Sequence, residues 1–340
     1  MLINPGSKSN TMPLPAPRFF LFGLLLLSLA SILLATLFGS VSLQPSAWWS
    51  ALTDPNHPAA DVVWRLRLPR ALAAWTVGAM LAMSGCLMQV LLRNPLADPY
   101  ILGVSGGAAC AALLGMLAGV AAALLPVLSL LGALAAVLLV FGLARGAGPW
   151  SGTRLLLTGV VTAAGWGALI SLMLAMGNDG SLRGMLFWLM GDLSYSRLPA
   201  WAALALLLCF CVVLAFARSM NVLAMGETTA RLLGESTRRL SWLTYLLASV
   251  LTAAAVSIAG SIGFVGLIVP HLVRLVVGYD HRVLVPAATL FGGSFLVLSD
   301  TLARTIIAPR QLPVGVITAL LGVPLFLLLL NRARLRSVHD

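Results

Sequence analysis

The chain has 340 residues, 60% of them hydrophobic and 9% charged, and a mean hydropathy of +1.01. A soluble domain carries about 25% charged residues, so this composition excludes an ordinary soluble fold; a bilayer accepts it. The net charge of +11 comes from 21 Lys and Arg against 10 Asp and Glu. These cations stand singly between apolar runs with no continuous patch, which sets aside a nucleic-acid partner and fits the basic flanks that orient membrane spans.

A spanning helix needs about 20 mostly apolar residues. The runs here are rich in Leu and Ala and do not alternate, which favours helices over a closed barrel. The prediction is an all-α membrane protein, one transmembrane domain over 1–340, a bundle of about ten helices. The spans fall near 19–39, 69–91, 100–118, 122–143, 154–176, 199–217, 240–259, 263–277, 283–304 and 313–331. Residues 1–18 form an N-terminal tail. The run from Phe19 to Phe38 is too long for a signal-peptide core and lacks an A-x-A site, so it reads as a retained first span. Residues 40–68 are predicted outside, with Trp48, Trp49 and Trp64 as interface anchors. Within 177–198, Met185 to Met190 is too short to span and reads as an interfacial or re-entrant helix. Residues 218–239 form the substantial inner loop. There Gly226 and Gly234 bracket two helical turns, Glu227 stands one turn before Arg231, and Leu223, Ala230 and Leu233 give an apolar side. Such a helix can dock in a partner's groove. The eighth span is short and holds Pro270. Ten spans put both termini on one side. Of the 21 Lys and Arg, fourteen fall on that side, which assigns it to the cytoplasm.

The four cysteines, Cys86, Cys110, Cys209 and Cys211, lie in apolar runs without metal or redox spacing and read as filler. There is no G-x-x-x-x-G-K-[ST], and the single lysine is Lys8, so the chain has no P-loop for ATP. No H-E-x-x-H and no buried His, Cys and carboxylate cluster exists to hold a metal. His57 and His339 lie outside the bundle; His271 and His281 flank the end of span eight. The chain does not read as an enzyme. Asp300 and Arg304, four apart in span nine, pair along one helix face. Spans five and ten contain no ionisable residue in their interiors, which counts against the alternative, an ion-coupled secondary carrier. Gly159-Val160-Val161-Thr162-Ala163 in span five is echoed by Gly315-Val316-Ile317-Thr318-Ala319 in span ten. Five spans separate the copies, so they run in opposite directions. That predicts an inverted repeat of spans 2–5 and 7–10 with a path at its interface.

Five motifs go further. They are Arg67-Leu68-Pro69-Arg70, the run from Arg93 to Ala108, the Gly226-Glu227…Ala230…Leu233-Gly234 loop, the run from Gly263 to Arg274, and Leu312 to Ala319. In order and spacing, over about residues 65–331, they resemble the permease subunits of ABC importers for ferric siderophores, vitamin B12 and haem. The resemblance implies a bacterial inner-membrane permease with both termini cytoplasmic, importing a metal chelate from the periplasm. It implies a second permease copy in a homodimer, two ATPase subunits that hold ATP and Mg, and a periplasmic binding protein. This chain would itself hold no cofactor and no metal. Coupling to the ATPase would fall on Gly226, Glu227, Ala230, Arg231, Leu233 and Gly234. The outward Arg67, Arg70 and Arg304 would meet carboxylates of the binding protein. The path would be lined by Gly159, Thr162, Gly165, Met173, Met176, Gly315 and Thr318. The cytoplasmic gate would involve Asn94, Leu96, Ser151, Gly152 and Thr153, with Gly152 where relatives can carry a hydroxyl. Asn94-Pro95 also fits a plain turn. Ferric siderophore or cobalamin is favoured over haem, because no His or Tyr stands where axial ligation in the path could be argued.

Overall fold

The computed structural model describes residues 17–54, 56–145, 152–194 and 198–337. All regular structure among them is helical. The chain forms α1 (Pro17–Leu37), α2 (Pro45–Thr53) and α3 (Pro58–Ala60). A π-helical turn over Asp61–Arg67 then leads into α4 (Leu68–Leu91). There follow α5 (Val104–Leu117), α6 (Leu125–Arg145), α7 (Gly152–Met176), α8 (Asp179–Leu189), α9 (Ala200–Ala215) and α10 (Ala217–Ala224). The last are α11 (Glu227–Leu232), α12 (Thr237–Ala259), α13 (Val265–Val277), α14 (His281–Thr305) and α15 (Val314–Ser337). Among the described residues, six helical stretches are long and apolar enough to cross a membrane, and α9 with α10, bent by 64°, makes a seventh. The shorter apolar helices α5, α13 and 314–329 of α15 complete the set. Each of the ten expected spans therefore falls on a helix, and the short stretch after α7 forms α8.

The bundle is built around α4, whose residues are buried on nearly every side. Its small residues make that possible. A Cβ on Gly78 would lie 2.3 Å from the Gly292 carbonyl of α14, and one on Gly85 would lie 1.8 Å from the Gly266 carbonyl of α13. Lipid offers no hydrophobic drive between helices, so such close backbone approach and polar cross-links supply the cohesion. The Ser84 hydroxyl lies 2.9 Å from the Ala248 carbonyl and 2.7 Å from Thr252 Oγ1, tying α4 to α12. On the other flank, α1 packs on α14 and α4, and Trp75 donates its indole N–H to Ser28 Oγ at 3.2 Å.

The expected repeat is visible in the packing. With α4–α7 and α12–α15 as halves, α4 packs on α13 and α14, while α12 packs on α5 and α6. The first helix of each half thus rests on the second and third helices of the other.

The structure revises the third and eighth spans. α5 has 14 residues and α13 has 13, or roughly 20 Å each, against a hydrocarbon core of about 30 Å. Each follows an unwound lead. The lead into α5 holds a 3₁₀ turn at Pro99–Leu102 and ends at Gly103 with φ +70°. The lead into α13 runs from Gly260 to Phe264, whose φ is +71°. The leads meet: the Tyr100 hydroxyl donates to the Ile262 carbonyl and accepts the Ile262 N–H, both at 3.0 Å. Irregular backbone is tolerated in a bundle when protein groups satisfy it in this way.

The loops gather at two ends. Residues 39–41, 62–70, Ser194, Arg304 and Gln311 meet at one, the Arg70 end. Arg93 meets Glu227, and Asn221 meets Asp280, at the other, the Glu227 end.

Candidate functional site

The repeat echo has a structural cause. A Cβ on Gly159 of α7 would lie 1.9 Å from the Ile101 carbonyl in the lead into α5. A Cβ on Gly315 of α15 would lie 2.2 Å from the Met190 carbonyl and 3.3 Å from the Ser261 carbonyl, in the lead into α13. In each half the last helix presses a glycine against backbone that has left the helix. The threonine three residues on then turns its hydroxyl back: Thr162 Oγ1 donates to Gly159 O and Thr318 Oγ1 to Gly315 O, each at 3.0 Å.

This changes the expected lining. Gly159 and Thr318 are buried within the chain, so they serve packing and present no surface. Gly315 and Thr162 are partly buried, as is Met173, while Gly165 is exposed with nothing within 4 Å of a would-be Cβ. The remaining face of α7 is open and apolar. Little of this helix is buried, and Val160, Val161, Leu172 and Met176 are exposed. A pocket of about 420 Å³ lies beside α15 between Met190, Ser261, Phe264, Gly315 and Ala319. Of the expected gate residues, Asn94 and Leu96 are exposed, and Asn94 Oδ1 accepts the Leu96 N–H at 2.9 Å in a side-chain turn. Gly152 and Thr153 open α7, and Ser151 lies outside the described residues.

At the Arg70 end one carboxylate sits between two guanidinium groups. Arg70 Nε donates to Asp300 Oδ1 at 3.2 Å and Oδ2 at 3.0 Å, and Nη2 to Oδ1 at 2.7 Å. Arg304 Nε lies 3.0 Å from Asp300 Oδ2, so the pair expected one turn apart is present. Arg70 Nη1 also donates to Gln311 Oε1 at 2.8 Å. Arg67 donates to the carbonyls of Thr36 and Leu37, which the ending α1 leaves without helical partners, and to that of Val41 in the loop beyond. Arg67, Arg70 and Arg304 are 4%, 8% and 3% exposed. The expected outward arginines are thus engaged inside the fold and are not free charges. They border a pocket of about 390 Å³ with Arg65, Ser194 and Gln311. Three guanidinium groups against one carboxylate leave this wall cationic. Sequence spacing could not reveal the Arg70–Asp300 pair, because 230 residues separate its members.

At the Glu227 end, Gly226 with φ +117° and Gly234 with φ +81° frame α11, as their spacing predicts. Glu227 pairs with Arg231 at 2.6 Å and with Arg93 at 3.6 Å. Ala230 and Leu223 turn inward and are buried. Leu233 does not join them: it is 62% exposed, beside Leu232 at 84% and Met225 at 70%. The helix ends at Leu232, so its period does not carry to position 233. The result is an apolar tip on a two-helix elbow. Nearby, the guanidinium of Arg282 holds the Asp280 carboxyl well below the usual carboxylate range.

Residues 25–332 match the model of the FecCD transport family. The hemin transport system permease protein HmuU of Yersinia pestis is 39% identical over 335 residues, which cover 94% of this chain and 97% of that protein. The cobalamin import system permease protein BtuC of Halobacterium salinarum is 46% identical over 293 residues, 82% of this chain and 76% of that protein. Among solved structures, a metal-chelate type ABC transporter in an inward-facing conformation has a TM-score of 0.80 at 34% identity. It covers 93% of this chain and 99% of that chain.

Proposed function

The chain belongs to the FecCD transport family, a family of multi-pass ABC-importer permeases, and on that premise we propose that it carries a ferric siderophore or cobalamin, in preference to haem, from periplasm to cytoplasm across a bacterial inner membrane. The observation that carries this reading is the open face of α7. It is apolar and free of ionisable groups from Leu155 to Met176, which suits a large chelate that must pass without binding tightly. An ion-driven carrier needs charge at that depth.

The same face asks for a partner. A second copy meeting it about a two-fold axis would bury both faces at once, because such an interface is self-complementary. The path then runs between the copies, with Gly165, Met173 and Met176 along it. The Glu227 end is the cytoplasmic one, with both termini on its side. There Met225, Leu232 and Leu233 enter a groove of the ATPase subunit, while Gly226 and Gly234 fix the elbow and the Glu227–Arg231 pair stiffens it. ATP and Mg are held by the two ATPase chains. Asn94 and Leu96, with Ser151, Gly152 and Thr153, form the inner gate. At the Arg70 end the binding protein is steered by the cationic wall around Arg67, Arg70 and Arg304. Long-range charge complementarity sets on-rate and register without a free partner for each arginine.

The test is uptake into liposomes by the co-purified permease and ATPase. The binding protein is added loaded in turn with a ferric siderophore, cobalamin or haem. Uptake of one chelate that needs both ATP and the binding protein supports the reading and names the cargo. Absence of an ATPase partner, with uptake following an ion gradient, replaces it with the secondary carrier.

A further inference from the structure

One side chain joins α10 to the start of α14. Asn221, within α10, commits both halves of its amide to this contact. Its Nδ2 donates to Asp280 Oδ1 at 3.0 Å. Its Oδ1 accepts the His281 backbone N–H at 2.9 Å and lies 2.6 Å from His281 Nδ1. Because Nδ2 faces a carboxylate, Oδ1 must be the acceptor, and His281 carries its ring proton on Nδ1.

The contact has a clear physical role. A helix leaves its first four N–H groups without intrahelical partners. In α14, the Asp280 carboxylate takes the Arg282 N–H at 3.0 Å, the usual capping arrangement. The neighbouring His281 N–H is taken by Asn221. A residue of α10 therefore supplies a second cap to α14. The joint is half-buried and braced: Asn221 and Asp280 are partly exposed, while His281 is buried, and so are Met220 and Leu223 on the same helix as Asn221. Arg282 holds the Asp280 carboxylate from its other side through Nε at 3.0 Å and Nη2 at 2.7 Å.

What lies at the far end of α14 gives the joint its reach. The helix has 25 residues, roughly 37 Å, and its last turns carry Asp300 and Arg304. It is gripped along its length by α4, where Gly78 and Gly292 bring the two backbones together. α10 does not run on straight from α9 but breaks from it by 64°. It is a short lever with one end at the α11 elbow and its middle fastened to α14.

We propose that Asn221 is a positioning residue of the transport cycle. It fastens the cytoplasmic elbow to the N-terminus of α14, so that a displacement of the elbow moves α14 as a unit instead of unravelling the turn between α13 and α14. This rests on the reading of residues 218–239 as the ATPase-docking segment.

The experiment uses the full permease–ATPase complex in liposomes with the loaded binding protein. Asn221→Ala and Asn221→Asp are compared with wild type for co-purified ATPase, ATP hydrolysis and uptake of whichever of the three chelates wild type accepts. Both variants are expected to keep the ATPase. Uptake per ATP should fall by about tenfold or more in Asn221→Ala, the scale of coupling between linked sites. It should fall at least as far in Asn221→Asp, which still accepts the His281 N–H but sets a second carboxylate against Asp280 in place of the Nδ2 donor. Hydrogen exchange on the wild-type complex gives a readout that needs no variant. The His281 amide should be equally protected with and without ATP. Unchanged uptake per ATP in Asn221→Ala overturns the proposal. So does loss of the ATPase from that variant, which would make Asn221 part of the docking surface. So does exchange at His281 that is about tenfold faster in one nucleotide state, because the joint would then open. If Asn221→Ala does not fold, the exchange result decides. If adding the ATPase leaves exchange over 226–234 unchanged in wild type, it is the docking reading that fails, and the two failures are distinct.

Discussion

Asp300→Asn separates two roles for the arginine cluster. The substitution keeps the shape of the side chain and removes its charge. It abolishes the charge on the acceptor of three Arg70 contacts, at 2.7, 3.0 and 3.2 Å, and of the Arg304 contact at 3.0 Å. Arg70 and Arg304 are then left 8% and 3% exposed with no anion between them. Removing one partner of a buried ion pair costs about 3–5 kcal/mol, because the other charge stays desolvated. The pocket beside Arg70 admits water, so the expected loss lies near the lower end, ~3 kcal/mol. Thermal unfolding of the purified permease in detergent measures it. The double variant Asp300→Asn with Arg70→Met should recover part of the loss, since one stranded charge has gone, and a double-mutant cycle isolates the pair. A loss below about 1 kcal/mol, or a double variant no better than Asp300→Asn, refutes the buried-pair account. If the arginines were instead free docking charges, Asp300→Asn would tighten binding-protein association and leave stability unchanged.

Other positions give sharper contrasts. Gly159→Val and Gly315→Val place a Cβ 1.9 Å and 2.2 Å from backbone carbonyls, and should destabilise the permease by roughly 1–3 kcal/mol or more in the same unfolding assay. Gly165→Ala meets nothing within 4 Å and should unfold at or above the wild-type temperature. Leu232→Asp combined with Leu233→Asp should leave unfolding unchanged, since both side chains are exposed, yet weaken ATPase co-purification by about tenfold or more, as loss of an interface anchor does. Tyr100→Phe strands both the N–H and the carbonyl of Ile262. It should cost about 1–3 kcal/mol, and an unfolding temperature equal to wild type would show that the leads do not depend on that hydroxyl.

The spans were legible because lipid imposes length and composition on any crossing, and all ten expected segments fall on helices. The repeat was legible for a more particular reason. Where a helix must rest on bare backbone only glycine fits, so Gly159 and Gly315 recur with their threonines in step. The unwound leads were harder to see, although Pro99, Gly103 and Gly260 marked them, because Leu, Val and Ile around them read as span. The positive character of Arg67, Arg70 and Arg304 was visible and their burial was not. Burial of Arg67 is set by the carbonyls of Thr36, Leu37 and Val41 and that of Arg70 by Asp300, all distant in sequence; only the Arg304 side of Asp300 lay within one helical turn. Leu233 was misplaced because helical period was extended one residue past the point where α11 stops.

The meeting of the two leads also orders the making of the protein. Tyr100 and Ile262 are 162 residues apart, so the early lead emerges from the ribosome long before its partner exists. α5 is too short to hold a place across the bilayer unaided, and it packs chiefly on α6 and α7. Until Ile262 has been made, the Tyr100 hydroxyl in the lead into α5 lacks both of its backbone partners. The first half of this chain is therefore completed by the second, and a truncation that ends before Ile262 leaves even the early helices without their final seat.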